Sequence, residues 1–410
     1  MGPITLFDKS FLEMLSVDQA ALFDCLFSAN LCPVFITEAL ADLSKKPPGR
    51  RSVEKIVSDL ANKAPSMHSY PNAEHTALCL AELSGETIRS DGFPATMGGR
   101  LVMDRGKLSV IYDDVEELEA FNRWQSGRFY EVEREFAQVW RERMQAVDHR
   151  EVAKLARRAL SIEARPKTLE EAHEIARAVI DADGIRFEQL SVAFALLGLP
   201  QKVFRPIRER WVRAGRPPIR AFAPYTAYCL HLEVFFHLCI EKLLISPDRA
   251  SNRVDMAYLF YLPFCRVFVS QDKLHWRTAP FFMNSSQQLI KGGDLKADLI
   301  KLDAYFSDLP HEAKREGLFR LASAPPEDLQ SLTGEIWRAA GMKRKEPRQP
   351  TPKDAEVHAK LVMAIKSLES APAVRNPRAY KPDQLEQAAI KRMVPRRMGK
   401  WDMLPADLKG

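Results

Sequence analysis

The sequence predicts an α/β protein built on a parallel sheet, and three stretches carry that expectation. Residues 4–7 are a short run of β-branched and aromatic residues ending at Asp8. Residues 31–37, LCPVFIT, form a second apolar run that leads directly into a segment of helical composition and spacing at 38–43. Residues 254–264 read as a helix that is apolar nearly all round, followed at 266–270 by RVFVS, a strand of the fully buried type. Strands separated by helices need crossover connections, which makes parallel pairing the natural solution.

Between the first two strands, Phe11, Leu12, Leu15, Ala20, Ala21, Leu22 and Leu26 recur at helical spacing. Residues 1–44 therefore read as a β-α-β-α unit, the first half of the sheet domain. The stretch KKPPGRR from Lys45 to Arg51 breaks the pattern and marks the crossing into an inserted segment, 45–246. In that segment the clear β signal is a hairpin, 100–103 with 108–112 around Asp104-Arg105-Gly106-Lys107. Helices are predicted over 114–160, 169–181, 187–197, 206–214 and 224–244, with Pro206 and Pro224 suited to first turns. The α/β character returns over 247–310, which closes with a helix at 294–306. A helical extension, 311–342, and a basic, Pro-rich tail, 343–410, with one helix at 352–368, complete the chain; no repeat period is visible.

A chain of 410 residues with this apolar content supports a sizeable core and excludes a disordered protein. Its six cysteines form no C-x-x-C pair and sit in apolar runs, which points to buried thiols in a reducing compartment rather than to disulfides or zinc. Pro3 and Asp8 do not suit a secretory signal, and the apolar stretch 221–245 carries His231, Glu233, His237, Glu241 and Lys242, too polar for a bilayer span. The expectation is a cytoplasmic protein without membrane contact. Charge is uneven: from Lys343 to Gly410 there are 16 Lys and Arg against 8 Asp and Glu, an excess of +8 that leaves about −2 for the remainder of a +6 chain.

Four acids fall at the ends or beginnings of the predicted elements. Asp8 ends the first strand, Glu38 begins the helix after the second, Asp255 begins the apolar helix, and Asp272 follows the strand after it. In open parallel sheets the carboxyl ends of strands line the ligand crevice, so such acids can converge there. Carboxylates gathered without evident counter-cations raise one another's pKa, a cost that a divalent cation relieves. Hard oxygen donors without a His or Cys cluster point to Mg²⁺ or Mn²⁺, ions that serve phosphoryl chemistry.

The segment from Asp255 to Asp272, DMAYLFYLPFCRVFVSQD, resembles the third and fourth motifs of PIN-domain nucleases, where an acid opens an apolar helix and a strand ends in a Thr/Ser-x-Asp turn, here Ser270-Gln271-Asp272. Leu6-Phe7-Asp8-Lys9-Ser10 resembles the family's first motif and Ile36-Thr37-Glu38 its second. The resemblance covers about 3–43 and 252–306. It implies a PIN-like parallel sheet flanked by helices, interrupted by a large, mostly α-helical insertion. It also implies metal binding by Asp8, Glu38, Asp255 and Asp272, with Ser270 orienting a carboxylate or a phosphate. Asp42, one turn after Glu38, rivals it for the second position. The chain departs from the family in the more than two hundred residues between Glu38 and Asp255, where a compact PIN domain needs a few tens.

Other candidates compete with structural readings. Glu233, His237 and Glu241 share one helix face with His231 close by, but the pattern is not H-E-x-x-H and suits polar pairs on a core helix better. His275 and Trp276 suit either contact with a nucleotide or packing at the rim. Seven basic residues between Lys202 and Arg220 suit a solvated surface, and the run Lys391–Lys400 suits either a mobile phosphate-binding tail or a merely disordered one. Gly98-Gly99 and Gly292-Gly293 lack the strand, helix and Lys context of a phosphate loop and read as turns. The leading expectation is a Mg²⁺- or Mn²⁺-dependent endonuclease acting on RNA, with single-stranded RNA as partner and a protein partner or oligomer left open. The alternatives are a non-catalytic PIN-like scaffold that binds nucleic acid or protein, and a helical interaction protein with a chance pattern of acids.

Overall fold

Strand β1, Ile4–Phe7, lies at the centre of a five-stranded parallel sheet in the computed structural model, and all four of its residues are buried. The structure describes every residue except 1, 47, 48, 50, 113–115, 183–186, 344–351, 376–383, 386, 391–393 and 407–410. On one side β1 pairs with β2, Ser28–Leu31, in the register Ile4 to Ser28, and β2 pairs with β3, Ser69–Pro71. The hairpin of β4, Arg100–Asp104, and β5, Lys107–Tyr112, stands apart from this sheet. On the other side β1 pairs with β6, Val267–Ser270, which carries β7, Gln288–Lys291, at the far edge. The order is β3-β2-β1-β6-β7, so the two sequence-distant α/β segments are neighbours at the middle of one sheet.

Helices flank this sheet. Val17–Leu26 packs against Gly292–Asp308, and Trp337, on the helix Leu332–Ala339, donates its indole N–H to the Leu26 carbonyl at 2.8 Å. Pro224–Glu241 packs against His75–Ser84 and the 3-10 turns Leu259–Phe264. It is buried from Tyr225 to Ile240 at every position except Tyr228, as expected of an apolar helix in a core. Residues of the sheet and of the intervening helices belong to one continuous hydrophobic cluster.

Several expected boundaries move, each for a local reason. The run 31–37 is not a strand: β2 ends at Leu31 and Pro33 opens the helix Pro33–Ala41, because proline lacks the N–H a strand would use and its fixed φ suits a first helical position. Glu38 therefore sits within that helix rather than at its start. Asp255 likewise lies within Ser251–Tyr258, and the apolar stretch continues as the 3-10 turns around Pro263. Strands β3 and β7 were not expected, since SYP and QLIK are too short to show a period. With β3 at 69–71 and a helix at His75–Ser84, the first α/β segment runs well beyond residue 44. Gly292-Gly293 does stand between a strand, β7, and a helix; a Cβ at Gly292 would meet Phe11 at 3.2 Å and Gln271 at 3.4 Å, so close packing accounts for the glycine.

The described residues of the basic C-terminal segment include parts that are built into the molecule. Strand β8, Gln387–Ile390, extends the hairpin into the sheet β4-β5-β8, against which Pro352–Ser370 packs. Strands β9, Arg397–Met398, and β10, Trp401–Asp402, close around Gly399, whose φ of 57° brings it so near Asp18 that a Cβ would lie 1.9 Å from the Asp18 carboxylate. Met398, Trp401 and Met403 join the main core, and Lys400 pairs with Asp303 at 2.6 Å. The apolar residues interspersed among the cations give the segment a face to bury. Lys391, Arg392 and Met393 of the expected run, and Pro47, Pro48 and Arg50 of the expected linker, lie outside the described residues.

Candidate active site

The sheet delivers Asp8, Ser270 and Asp272 to one edge because β1 and β6 are adjacent and parallel and all three residues sit at or just past the strands' carboxyl ends. Asp8 leaves β1 in an extended conformation and caps the helix Lys9–Met14. Its Oδ1 accepts from the Phe11 N–H at 2.8 Å and the Ser10 hydroxyl at 2.9 Å; its Oδ2 accepts from the Ser270 hydroxyl at 2.5 Å and the Gln271 N–H at 3.3 Å. Burial alone would raise this carboxyl, but the hydrogen bond and charge of His275, with the bonds from Ser270 and Phe11, hold it below the usual range.

His275 is fully buried behind this pair. Its Nε2 donates to the Asp255 main-chain carbonyl at 2.6 Å, and its Nδ1 lies 2.7 Å from Ser270 Oγ and 3.5 Å from Asp8 Oδ2. Ser270 has one proton, which faces Asp8, and it already accepts from the Asp272 N–H at 3.0 Å. It can therefore only accept from Nδ1, and both ring nitrogens carry hydrogen. Burial pushes the imidazole down, but the bond and charge of Asp8 and the charge of Asp255 outweigh it and raise it. His275 is thus a buried cation paired with Asp8 through Ser270, and Trp276 is equally committed, donating to the Ser270 carbonyl at 3.1 Å.

Glu38 belongs to a second group. Tyr258 donates to its Oε2 at 2.7 Å while accepting from the Lys9 N–H at 3.3 Å. The Lys9 ammonium, itself buried, stands 2.7 Å from Asp42, 3.3 Å from Glu13 and 3.8 Å from Glu38. Burial lowers its affinity for a proton, but the charges of Glu38, Asp42 and Glu13 reverse that and raise it. Glu38 is raised mainly by burial, with Asp42 and Asp8 adding to the effect and Lys9 and Tyr258 opposing it. Asp42, the rival for the second position, is spoken for by Lys9 and by Lys45 at 2.5 Å. The expectation that no counter-cation accompanies the acids is corrected here: Lys9 follows Asp8 directly, and its side chain folds back under the helix that bears Glu38.

Arg249 is the other missed cation, 3.5 Å from Asp272 and 4.0 Å from Asp255 with its side chain 61% exposed. Asp272 caps the short helix Lys273–Thr278, accepting from the Leu274 N–H at 2.6 Å. Asp255 is the least satisfied acid: its Oδ2 is buried without a hydrogen-bond partner. Burial pushes its carboxyl up to about 7, and Asp272 and Glu38 add to the rise against the opposing charges of His275 and Arg249.

Three of the acids keep a carboxylate oxygen that no hydrogen bond occupies. Asp255 has an orphaned oxygen, Asp272 has an oxygen facing only a distant guanidinium, and Glu38 has one oxygen facing only Lys9. The arrangement is not a closed ligand shell: among the described residues no group of three or more His, Cys, Asp or Glu side chains stands ready to hold an ion. Asp8 is the least available, since its four hydrogen bonds fill the acceptor directions of a carboxylate. Ligation by Asp8 requires one of those bonds to yield.

The remaining sequence candidates resolve into internal pairs. Glu233 holds Arg253, Glu241 holds Arg157 at 2.9 Å, and His231 contacts the His173 carbonyl at 3.1 Å. Burial lowers His231 to about 4 and His237 to about 3, so both are neutral near pH 7. In the basic stretch 202–220, Arg205 pairs with Glu209, Arg210 donates to the Leu83 carbonyl at 3.0 Å and lies over the Phe222 ring, and Arg220 pairs with Asp181.

Among the described residues no helix is long and apolar enough to cross a membrane. Comparison with known proteins adds no assignment: no protein-family model, no curated protein and no solved structure matches the chain.

Proposed function

We propose that the chain is a metal-dependent endonuclease that hydrolyses phosphodiester bonds in RNA at the carboxyl edge of its parallel sheet. The observation that supports this reading is that acids of the first segment are bonded to residues of a segment far away in sequence, Asp8 to Ser270 across 262 positions and Glu38 to Tyr258 across 220. Asp8 and Asp272 follow the carboxyl ends of two adjacent parallel strands. Glu38, Asp255 and Asp272 would hold Mg²⁺ or Mn²⁺, and Asp8 would join them where one of its hydrogen bonds yields. The bound ion would polarise the phosphate and lower the pKa of a water nucleophile. Ser270 and His275 keep Asp8 ionised and oriented. Arg249, exposed at the mouth and only loosely paired, is suited to meet a phosphate oxygen.

The test is cleavage of end-labelled single-stranded RNA with Mn²⁺ by the full chain. Asp255→Asn and Asp272→Asn should each lower the rate by about a hundredfold or more. Activity that survives both substitutions sinks the proposed site. A second reading, a non-catalytic PIN-like scaffold that binds nucleic acid, is favoured by one observation: Lys9 and Arg249 already neutralise part of the acid cluster. It predicts RNA binding that neither Mn²⁺ nor these substitutions alter, and no cleavage.

A further inference from the structure

A cleft of about 180 Å³ opens beside the acids, between the helices Pro33–Ala41, Ser251–Tyr258 and Glu131–Ala146. Its lining includes Thr37 and Val254, the immediate chain neighbours of Glu38 and Asp255. It lies over the carboxyl ends of β2 and β3, while Asp8 and Asp272 lie at those of β1 and β6, so cleft and acids share one sheet edge. The volume is below the roughly 300–1,000 Å³ of a whole-cofactor pocket. It suits a single flat heterocycle whose sugar and phosphate stay outside.

The lining has the chemistry for such a ring. The half-buried Trp140 and Met144, both from an inserted helix, offer apolar and aromatic surface above the buried Tyr261. His75 is held rigid by stacking on Phe260, with ring centroids 4.3 Å apart and planes within 11°. Two charged groups border the same space. Glu74 is anchored at the start of the helix His75–Ser84 by the Thr76 and Ala77 N–H groups and by His75 at 2.7 Å, yet keeps 44% of its side chain exposed. Arg253 gives Nη2 to Glu233, and its Nη1 is buried away from solvent. A small anion would be repelled by Glu74, whose side chain is 44% exposed. An unpaired nucleobase presents faces for stacking and an edge that carries both donors and acceptors.

We propose that this cleft is a subsite for one unpaired base of the RNA strand whose backbone passes the acids, with Trp140 as the stacking surface and the exposed Glu74 reading the base edge. It rests on the nuclease reading for its substrate class, but not for its binding. The inserted helix then has a defined task, which is to close the base subsite from above.

The experiment is fluorescence anisotropy of short labelled single-stranded RNA on the full chain in EDTA, where no cleavage can occur, with folding of each variant checked by circular dichroism. Trp140→Ala should weaken binding about tenfold and Trp140→Phe should retain it within about threefold. RNA with abasic sites should bind the unmodified protein about as weakly as intact RNA binds Trp140→Ala. Equal binding by Trp140→Ala and the parent, equal binding of abasic and intact RNA, or no RNA binding at all overturns the subsite. Base-dependent binding without Mn²⁺-dependent cleavage leaves the subsite standing and refutes the nuclease; cleavage with base-independent binding does the reverse.

Discussion

Replacing Asp255 by Asn should stabilise the protein at alkaline pH, which few substitutions of a buried charged residue do. The carboxyl is raised from 3.8 to about 7, its side chain is 13% exposed, and its Oδ2 has no hydrogen-bond partner. Because the folded-state pKa of this acid lies above the unfolded one, folding favours the protonated form. Stability is lost as pH rises from about 4 to about 7 and changes little from this source above that window. The rise from 3.8 to about 7 corresponds to about 4 kcal/mol at pH 8 as a ceiling, and to under about 1 kcal/mol at pH 4. Relaxation around Arg249 reduces the ceiling, so an effect of about 2 kcal/mol is the working expectation. The assay is urea unfolding of the parent and Asp255→Asn at pH 4, 6 and 8, comparing midpoints at unchanged slope. The other titrating groups are common to both proteins and cancel to first order. Millimolar Mn²⁺ should then raise the unfolding midpoint of the parent at pH 8 and leave the variant nearly unmoved. A variant destabilised by the same amount at every pH refutes the reasoning, because it would mean that the ionised carboxylate makes a favourable contact.

Other consequences are as direct. The His275–Asp8 pair contributes fully only where both groups are charged: the Asp8 part is lost as pH falls through its lowered folded pKa, and the His275 part as pH rises through its raised one. His275→Gln should therefore cost most between about pH 4 and 6.5, and ring NMR at pH 7 should show His275 protonated and His237 neutral. Lys9→Gln should destabilise by about 3–5 kcal/mol by stranding buried carboxylates, and adding Asp42→Asn should restore part of that loss in a double-mutant cycle. Trp401→Ala should cost about 3–5 kcal/mol in thermal or urea unfolding, since the indole is buried and bonded to Asp303 at 2.9 Å; a cost under about 1 kcal/mol would restore the picture of a loosely attached tail.

The parts of the fold legible in the sequence were those whose signal is local. Residues 4–7 and 267–270 are short runs of mostly β-branched and aromatic residues that end at an acid or a Ser-x-Asp turn, so both central strands and the placement of Asp8 and Asp272 could be read directly. The hairpin and the helix at Leu169–Asp181 were equally plain, from turn residues and from a 3.6-residue period. The edge strands β3 and β7 carry too few residues for a period to emerge, and their pairing is decided by the neighbours that offer them hydrogen bonds. Pro33 did announce a helix start and was outweighed by the apolar run around it. Met398, Trp401 and Met403 carried a burial signal masked by the cations between them.

By itself the sequence determined which side chains end the strands and which stretches must be buried, because periodicity and turn chemistry act within a few residues. Only the tertiary structure decided what each acid does. Asp8 is saturated by Ser10, Phe11, Ser270 and Gln271, Glu38 leans on Tyr258 and Lys9, and Asp255 keeps a buried oxygen without a hydrogen-bond partner. Those differences arise because desolvation and pairing depend on distances between residues that lie more than two hundred positions apart in the chain.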